Sequence, residues 1–254
     1  MYFRSQIKLW QYVMSRNHWI LSIIIAALPA VSGCLDKELE GVSVGGIDLN
    51  ASSVVALSPS LTADGSLGTI EVTVVNVLGY QVPGTSVSLV SNRGASDTIT
   101  ALSSVTDAQG VARFTTASTS AGRSTYTAVI ESVNRAISVT ADVVFTAGPI
   151  SALKSTILVN PSSISLTANE TAEIRLTALD AYENPITTGG ETVVFTRTFN
   201  SGESEGTIYP NPARDNGDGT YSATYTPTKS GTTNYIGFDI NGASGDFATI
   251  DVTP

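Results

Sequence analysis

The sequence predicts an all-β protein, two tandem β-sandwiches, on three observations. Beyond residue 52, short runs rich in Val, Ile, Thr and Tyr recur between turn signals with apolar residues at alternate positions, which is the period of strands. No stretch of about ten or more residues there keeps a helical apolar spacing, which argues against an α/β fold. The second half of the chain also repeats the first.

In the first copy the alternating runs are Ile70-Val72-Val74, Val87-Leu89, Val111-Phe114, Tyr126-Ala128-Ile130 and Val139-Val143-Phe145. Glu71-Val72-Thr73-Val74 answers to Glu173-Ile174-Arg175-Leu176, and Pro83 to Pro185, at an offset of 102. Gly110, Gly122 and Tyr126 answer to Gly219, Gly231 and Tyr235 at 109, so about seven extra residues are expected within 186–204. Two copies of about 100 residues with about seven short strands each have the proportions of an immunoglobulin-like sandwich. The expected domains are residues 53–147 and 148–254. The junction Ala147-Gly148-Pro149-Ile150-Ser151 is short and its proline stiffens it. Strands of this length predict sandwiches of about 35 Å, and a rod of about 70 Å when two stack end to end.

Ahead of the sandwiches, the first 33 residues hold Arg4, Lys8 and Arg16 and no acid, followed by the apolar run Trp19-Ile20-Leu21-Ser22-Ile23-Ile24-Ile25-Ala26-Ala27-Leu28. Basic then apolar is the order of a secretory signal. A membrane-spanning helix needs about 20 apolar residues, so this shorter run is not expected to be a permanent anchor. Val31-Ser32-Gly33-Cys34 then resembles the lipobox of bacterial lipoproteins. The resemblance implies cleavage after Gly33 and a lipidated, palmitate-bearing Cys34 as the first mature residue. It also implies delivery to the outer membrane, because Leu35 and not aspartate follows the cysteine. An ordinary signal peptide with an incidental cysteine, or a buried free thiol, is the competing reading. Residues 35–52, with Gly pairs and no sustained apolar period, read as a flexible tether.

Composition excludes several functions. With 22 acidic against 13 basic residues and a net charge of −9, the chain has no electrostatic footprint for a nucleic-acid backbone. Cys34 and His18 are its only cysteine and histidine. A disulfide framework and a Cys/His zinc site are therefore excluded, and the mature protein would lack the usual general base and thiol nucleophile. Lys37, Lys154 and Lys229 all sit in polar, turn-like contexts that predict solvated ammonium groups. The expectation is a protein that is not an enzyme and has no cofactor.

Leu61-Thr62-Ala63-Asp64-Gly65, Asn76 through Pro83-Gly84, Thr106-Asp107-Ala108-Gln109-Gly110-Val111-Ala112 and Ala121-Gly122 together resemble the bacterial Ig-like group 1 repeat of intimin and invasin adhesins. In the second copy, Asp180-Ala181-Tyr182-Glu183-Asn184-Pro185 resembles the same repeat. Asp215-Asn216-Gly217-Asp218-Gly219-Thr220-Tyr221 through Tyr225-Thr226-Pro227 resembles a filamin-type Ig repeat as much. The resemblance implies an adhesin-like stalk on the cell envelope. It does not imply receptor binding, because the adhesins' outer-membrane barrel and lectin-like tip are not in this sequence.

Few residues stand out as contacts. Asp215-Asn216-Gly217-Asp218-Gly219 has the alternating oxygens of a calcium loop, but Thr226 stands where the closing glutamate is needed, and a hairpin turn is the favoured reading. No metal site is expected. Tyr221, Tyr225 and Tyr235 are expected in the core, while Tyr182 and Tyr209 lie near predicted loops and are the candidate contact residues. Two functions follow: a lipid-anchored surface protein whose sandwich stalk serves adhesion or protein interaction, or a periplasm-facing module that binds a carbohydrate or protein partner.

Overall fold

The computed structural model describes residues 46–197 and 203–254, and 17 β-strands form within them. The first sandwich contains β1 (Ser53–Ala56), β2 (Ser60–Thr62), β3 (Gly68–Thr73), β4 (Val87–Ser91), β5 (Asp97–Ser103), β6 (Val111–Ser118), β7 (Gly122–Ile130), β8 (Arg135–Ala136) and β9 (Ala141–Thr146). The second contains β10 (Thr156–Asn160), β11 (Ser163–Ser165), β12 (Ala172–Thr177), β13 (Val193–Arg197), β14 (Glu205–Asp215), β15 (Thr220–Lys229), β16 (Gly231–Ile240) and β17 (Ala243–Thr253).

The two copies share one topology. Sheet β1-β3-β6-β5 faces sheet β2-β9-β7-β4, with β8 pairing β7; sheet β10-β12-β15-β14 faces sheet β11-β17-β16-β13. In each copy one short strand pairs in parallel, β2 with β9 and β11 with β17, and the other pairs are antiparallel. Alternation along the strands decides the packing. In β3, Ile70 and Val72 are fully buried while Thr69, Glu71 and Thr73 point outward. The first core is built on Ile70, Val72, Phe114, Tyr126, Ile130 and Phe145, and the second on Ile174, Leu176, Phe195, Tyr221, Tyr225 and Phe238. Each such side chain contributes about 1.5–3 kcal/mol by leaving water.

Three details differ from the sequence reading. Residues 46–52 are not tether: Ile47 pairs Asn76, and Ser52 is buried, its hydroxyl donating to the Asp48 carbonyl at 2.6 Å and accepting from Val75 N–H at 3.1 Å. The second copy repeats this, since Ile150 pairs Asp180 and the Ser155 hydroxyl bridges the Ser151 carbonyl (2.8 Å) and Leu179 N–H (3.0 Å). The pattern Ile-x-x-x-x-Ser in 47–52 and 150–155 is its sequence signal.

The offset between copies is also 104 in the loop after β3, where 102 was expected. Val74 donates to the Gly110 carbonyl and Ala178 to the Gly219 carbonyl, at 2.8 and 2.9 Å. The second copy therefore carries five extra residues before Gly219. The matched prolines mislead because Pro185 stands where Gln81 does, two residues short of the position of Pro83.

Third, Tyr235 is not in the core. A register shift between Gly231 and Asn234 adds one residue at the start of β16, which turns Asn234, Ile236, Phe238 and Ile240 inward and leaves Tyr235 39% exposed. Its expected counterpart Tyr126 is fully buried.

Candidate functional site

Val31, Ser32, Gly33 and Cys34 lie outside the described residues, as do the signal segment and Lys37. Among the described residues no helix is long and apolar enough to cross a membrane, and no group of acids gathers as a metal ion would need. Lys154 and Lys229 are exposed and paired with Glu183 (2.8 Å) and Glu205 (3.0 Å).

The most elaborately built polar site lies where the two sandwiches meet. On the first sandwich it begins with Arg93, whose guanidinium lies 3.1 Å from buried Asp97 and 5.6 Å over the ring of Phe145. Arg93 Nη2 donates to Ser118 Oγ (2.8 Å) and the Ser120 carbonyl (2.6 Å). That pins the connection between β6 and β7, so the backbone of residues 119–121 is presented in a fixed shape.

The second sandwich meets it with the loop after β12. Asp180 Oδ1 accepts from Tyr182 and Asn184 N–H, both at 2.8 Å, which folds the loop on itself; Glu183 takes φ 67° at its tip. Asp180 Oδ2 accepts from the Asn184 amide and from the Gly148 N–H of the connecting segment, each at 2.8 Å. Burial penalises the charged form of Asp180, but the Asn184 amide and the Gly148, Asn184 and Tyr182 N–H groups outweigh it and hold its pKa below the usual 3.8. Asn184 then crosses the junction, its Oδ1 accepting from Ala121 N–H (2.7 Å) and its Nδ2 donating to the Thr119 carbonyl (3.0 Å). Asp180 and Asn184 are 1% and 7% exposed. A buried carboxylate with four donors and a buried bidentate amide fix the angle at which one domain follows the other.

Tyr182 is here too, half exposed, its hydroxyl donating to the Asp64 carbonyl at 3.3 Å. The candidate contact residue thus serves the junction at its rim. Tyr209, expected near a loop, stands within edge strand β14 opposite Thr224 and is 79% exposed. The turn 215–219 is a hairpin turn whose carboxylates are engaged within it, Asp215 Oδ2 also accepting from Gly190 N–H at 2.7 Å. Asp215 Oδ1 accepts from Gly217 N–H, and Asp218 Oδ1 from Thr220 N–H, while Gly217 and Gly219 take φ of 80°.

The sequence reading missed one surface. On the outward face of the β13-β16-β17 sheet, Tyr235 and Phe247 meet edge to face, ring centroids 5.1 Å apart, and Gly237 lies opposite Phe247 in the register. Asp239 and Asp246 flank this open hollow of about 580 Å³. The signal was the alternation Ile236-x-Phe238-x-Ile240, which sends Tyr235 outward; the repeat alignment obscured it.

Two family models cover the two sandwiches. Residues 51–146 match the bacterial Ig-like domain (group 1), and residues 151–254 match invasin, domain 3. The chain is a tandem of invasin-type Ig-like domains. Among solved structures, InvD of Yersinia pseudotuberculosis is 25% identical, with 80% of this chain and 58% of that one covered and a TM-score of 0.50. Invasin, described as a bacterial integrin-binding protein, is 29% identical over 82% of this chain and 39% of its own, with a TM-score of 0.39. FdeC, an Escherichia coli adhesin, is 22% identical over 82% of this chain and 66% of its own, at 0.47. The chain spans less than two thirds of each of these three. Invasin-type Ig-like domains are modules of adhesins associated with the cell surface, and they are not enzymes.

Proposed function

We propose that this protein is a lipid-anchored envelope protein, acylated at Cys34 and held in the outer membrane, whose paired sandwiches form a stiff stalk for adhesion or protein interaction. The observation that carries it is the junction. The Asp180–Asn184 clamp gives the second domain a set direction from the first, which a protein that presents a surface away from its anchor needs and two independent binding modules do not. The lipobox-like Val31-Ser32-Gly33-Cys34 supports the anchor, and the matched adhesin families support the stalk. External protease on whole cells tests the reading: a surface stalk is cleaved, whereas one confined to the periplasm survives until the outer membrane is opened. Cys34→Ser should shift the protein from the membrane to the soluble fraction, because one signal core of about ten residues cannot hold it.

A second reading has its own observation. The Tyr235–Phe247 pair, with glycine as its floor and two carboxylates beside it, offers ring faces and acceptors suited to a sugar. That would make the second domain a carbohydrate-binding module facing the periplasm. Loss of binding in a glycan-array comparison of the parent protein and Phe247→Ala would favour it.

A further inference from the structure

The loop that clamps the junction in the second domain has a twin in the first. Asn76 Oδ1 accepts from Leu78 and Tyr80 N–H at 3.0 Å, as Asp180 Oδ1 does from Tyr182 and Asn184. Gly79 takes φ 82° where Glu183 takes 67°, and Val75 bridges Gln81 as Leu179 bridges Pro185. The two backbones are the same device.

Their side chains are not. Beside Gly79, the exposed positions of the first-domain loop carry Val77, Leu78 and Tyr80, which are 60%, 65% and 65% exposed. Leu78 stands where Tyr182 donates a hydrogen bond, and Tyr80 where Asn184 both donates and accepts. Leu78 can make no such bond, and Tyr80 has a single hydroxyl in place of the paired donor and acceptor of an amide. Their chemistry suits an apolar neighbour with a polar margin and no fixed hydrogen-bond geometry.

Position identifies that neighbour. Val77 N–H donates to the Gly46 carbonyl at 3.1 Å, and Ile47 pairs Asn76, so residues 1–45 join the domain at this loop. Cys34 is a dozen residues before Gly46, a reach of at most about 40 Å. The loop also lies at the end of the sandwich opposite the junction, since Gly110 at the start of β6 packs beside Val74 and Val82, while residues 119–121 at its far end meet the second domain.

We infer that this loop is a membrane-contact loop. Val77 and Leu78 enter the boundary between headgroups and acyl chains, with Tyr80 at headgroup level, so that the first domain stands on the bilayer instead of swinging from its anchor. The inference rests on lipid attachment at Cys34. Two contacts, one covalent and one apolar, fix the base of the stalk as the clamp fixes its middle.

The test uses the full-length acylated protein in vesicles of phosphatidylethanolamine with a minor share of phosphatidylglycerol, with and without brominated acyl chains. Leu78→Cys carries a bimane label, and Leu158→Cys, equally exposed at 62% on β10, is the control. Acylation leaves Cys34 without a free thiol, so the new cysteine alone is labelled. The expected result is flotation of both variants and quenching of the Leu78 label at least about twofold stronger than that of the Leu158 label. Flotation with equal quenching overturns the membrane-contact loop and leaves the anchor standing. Failure to float overturns the anchor and the inference with it. A Leu78 signal that changes with protein concentration and not with bromination shows that a second copy of the chain covers the loop, and also overturns it. Replacing Val77, Leu78 and Tyr80 together with serine should abolish the difference between the two sites while circular dichroism stays unchanged.

Discussion

The loops 76–80 and 180–184 have one backbone and two fates. In the second domain the loop is polar at its tips and locked against the first domain; in the first it is apolar at its tips and open. Backbone folding is therefore independent of what the loop meets. An Asx residue supplies two acceptor bonds to N–H groups two and four residues on, and a residue with positive φ turns the tip. What the loop does is decided by three or four outward side chains. Evolution of a stalk from repeats needs only that division, because each copy can keep its fold while its ends are rewritten.

The largest effect should come from the glycines on which the two loops rest. Gly110 and Gly219 take φ of 72° and 80°, and a Cβ on each would lie 2.8 Å from the Val74 carbonyl oxygen and 1.9 Å from that of Ile186. Gly219→Val is expected to cost about 4 kcal/mol and Gly110→Val about 2 kcal/mol, each in its own domain only. Separate unfolding transitions by calorimetry would check this; equal shifts would mean that the two floors are not as different as their contacts.

Next in size is the residue that shapes each loop. Asp180→Ala removes an acceptor from four donors and should cost about 3 kcal/mol and free the domain angle, while Asn76→Ala removes two weaker bonds and should cost about 1 kcal/mol with the angle unchanged. Small-angle scattering of both variants would measure the angle, and urea unfolding the stability. A freely bending Asn76→Ala protein would contradict the division between the loops.

The same pair predicts a pH response. Asp180 has a folded pKa below its ordinary value, so its stabilisation is present above about pH 4, the unfolded value, and is lost as pH falls through the folded one. Asn76 does not titrate in this range. The junction should therefore loosen on acidification while the first-domain loop holds, and distances between spin labels on the two domains should broaden below about pH 4. In Asp180→Asn the distribution should be the same at pH 7 as at the pH, below about 4, where the parent's broadens. A pH profile unchanged by that substitution would assign the transition to other acids.

Most of this architecture was legible in the sequence because strand alternation and repeated turn glycines are local signals: Ile70 and Val72 fall inward, and Gly110 and Gly219 at positive φ. Legibility ended where one inserted residue changes a face. Tyr235 looks like Tyr126 by spacing from Gly231, and only the alternation Ile236-x-Phe238-x-Ile240 further on records the shift. Nor could the sequence show that Asn184 reaches Ala121, since a contact across 63 positions depends on how two finished domains stack. Tyr182 was found for a loop location that proved correct, although what it touches is the neighbouring domain.

Tyr182 also sets the smallest expected effect. Its hydroxyl makes one bond of 3.3 Å to a backbone carbonyl at a half-exposed site, where water can replace the protein partner. The buried part of the junction, Asp180 and Asn184, holds the angle without it. Tyr182→Phe should therefore change stability by about 0.5 kcal/mol or less and leave the scattering profile as in the parent. Tyr182→Asn should do the same, because the site needs no ring. If instead Tyr182→Phe released the domains as Asp180→Ala is expected to, the rim and not the buried clamp would govern the junction, and the exposed phenol would become the residue to follow in any account of how the two domains bend.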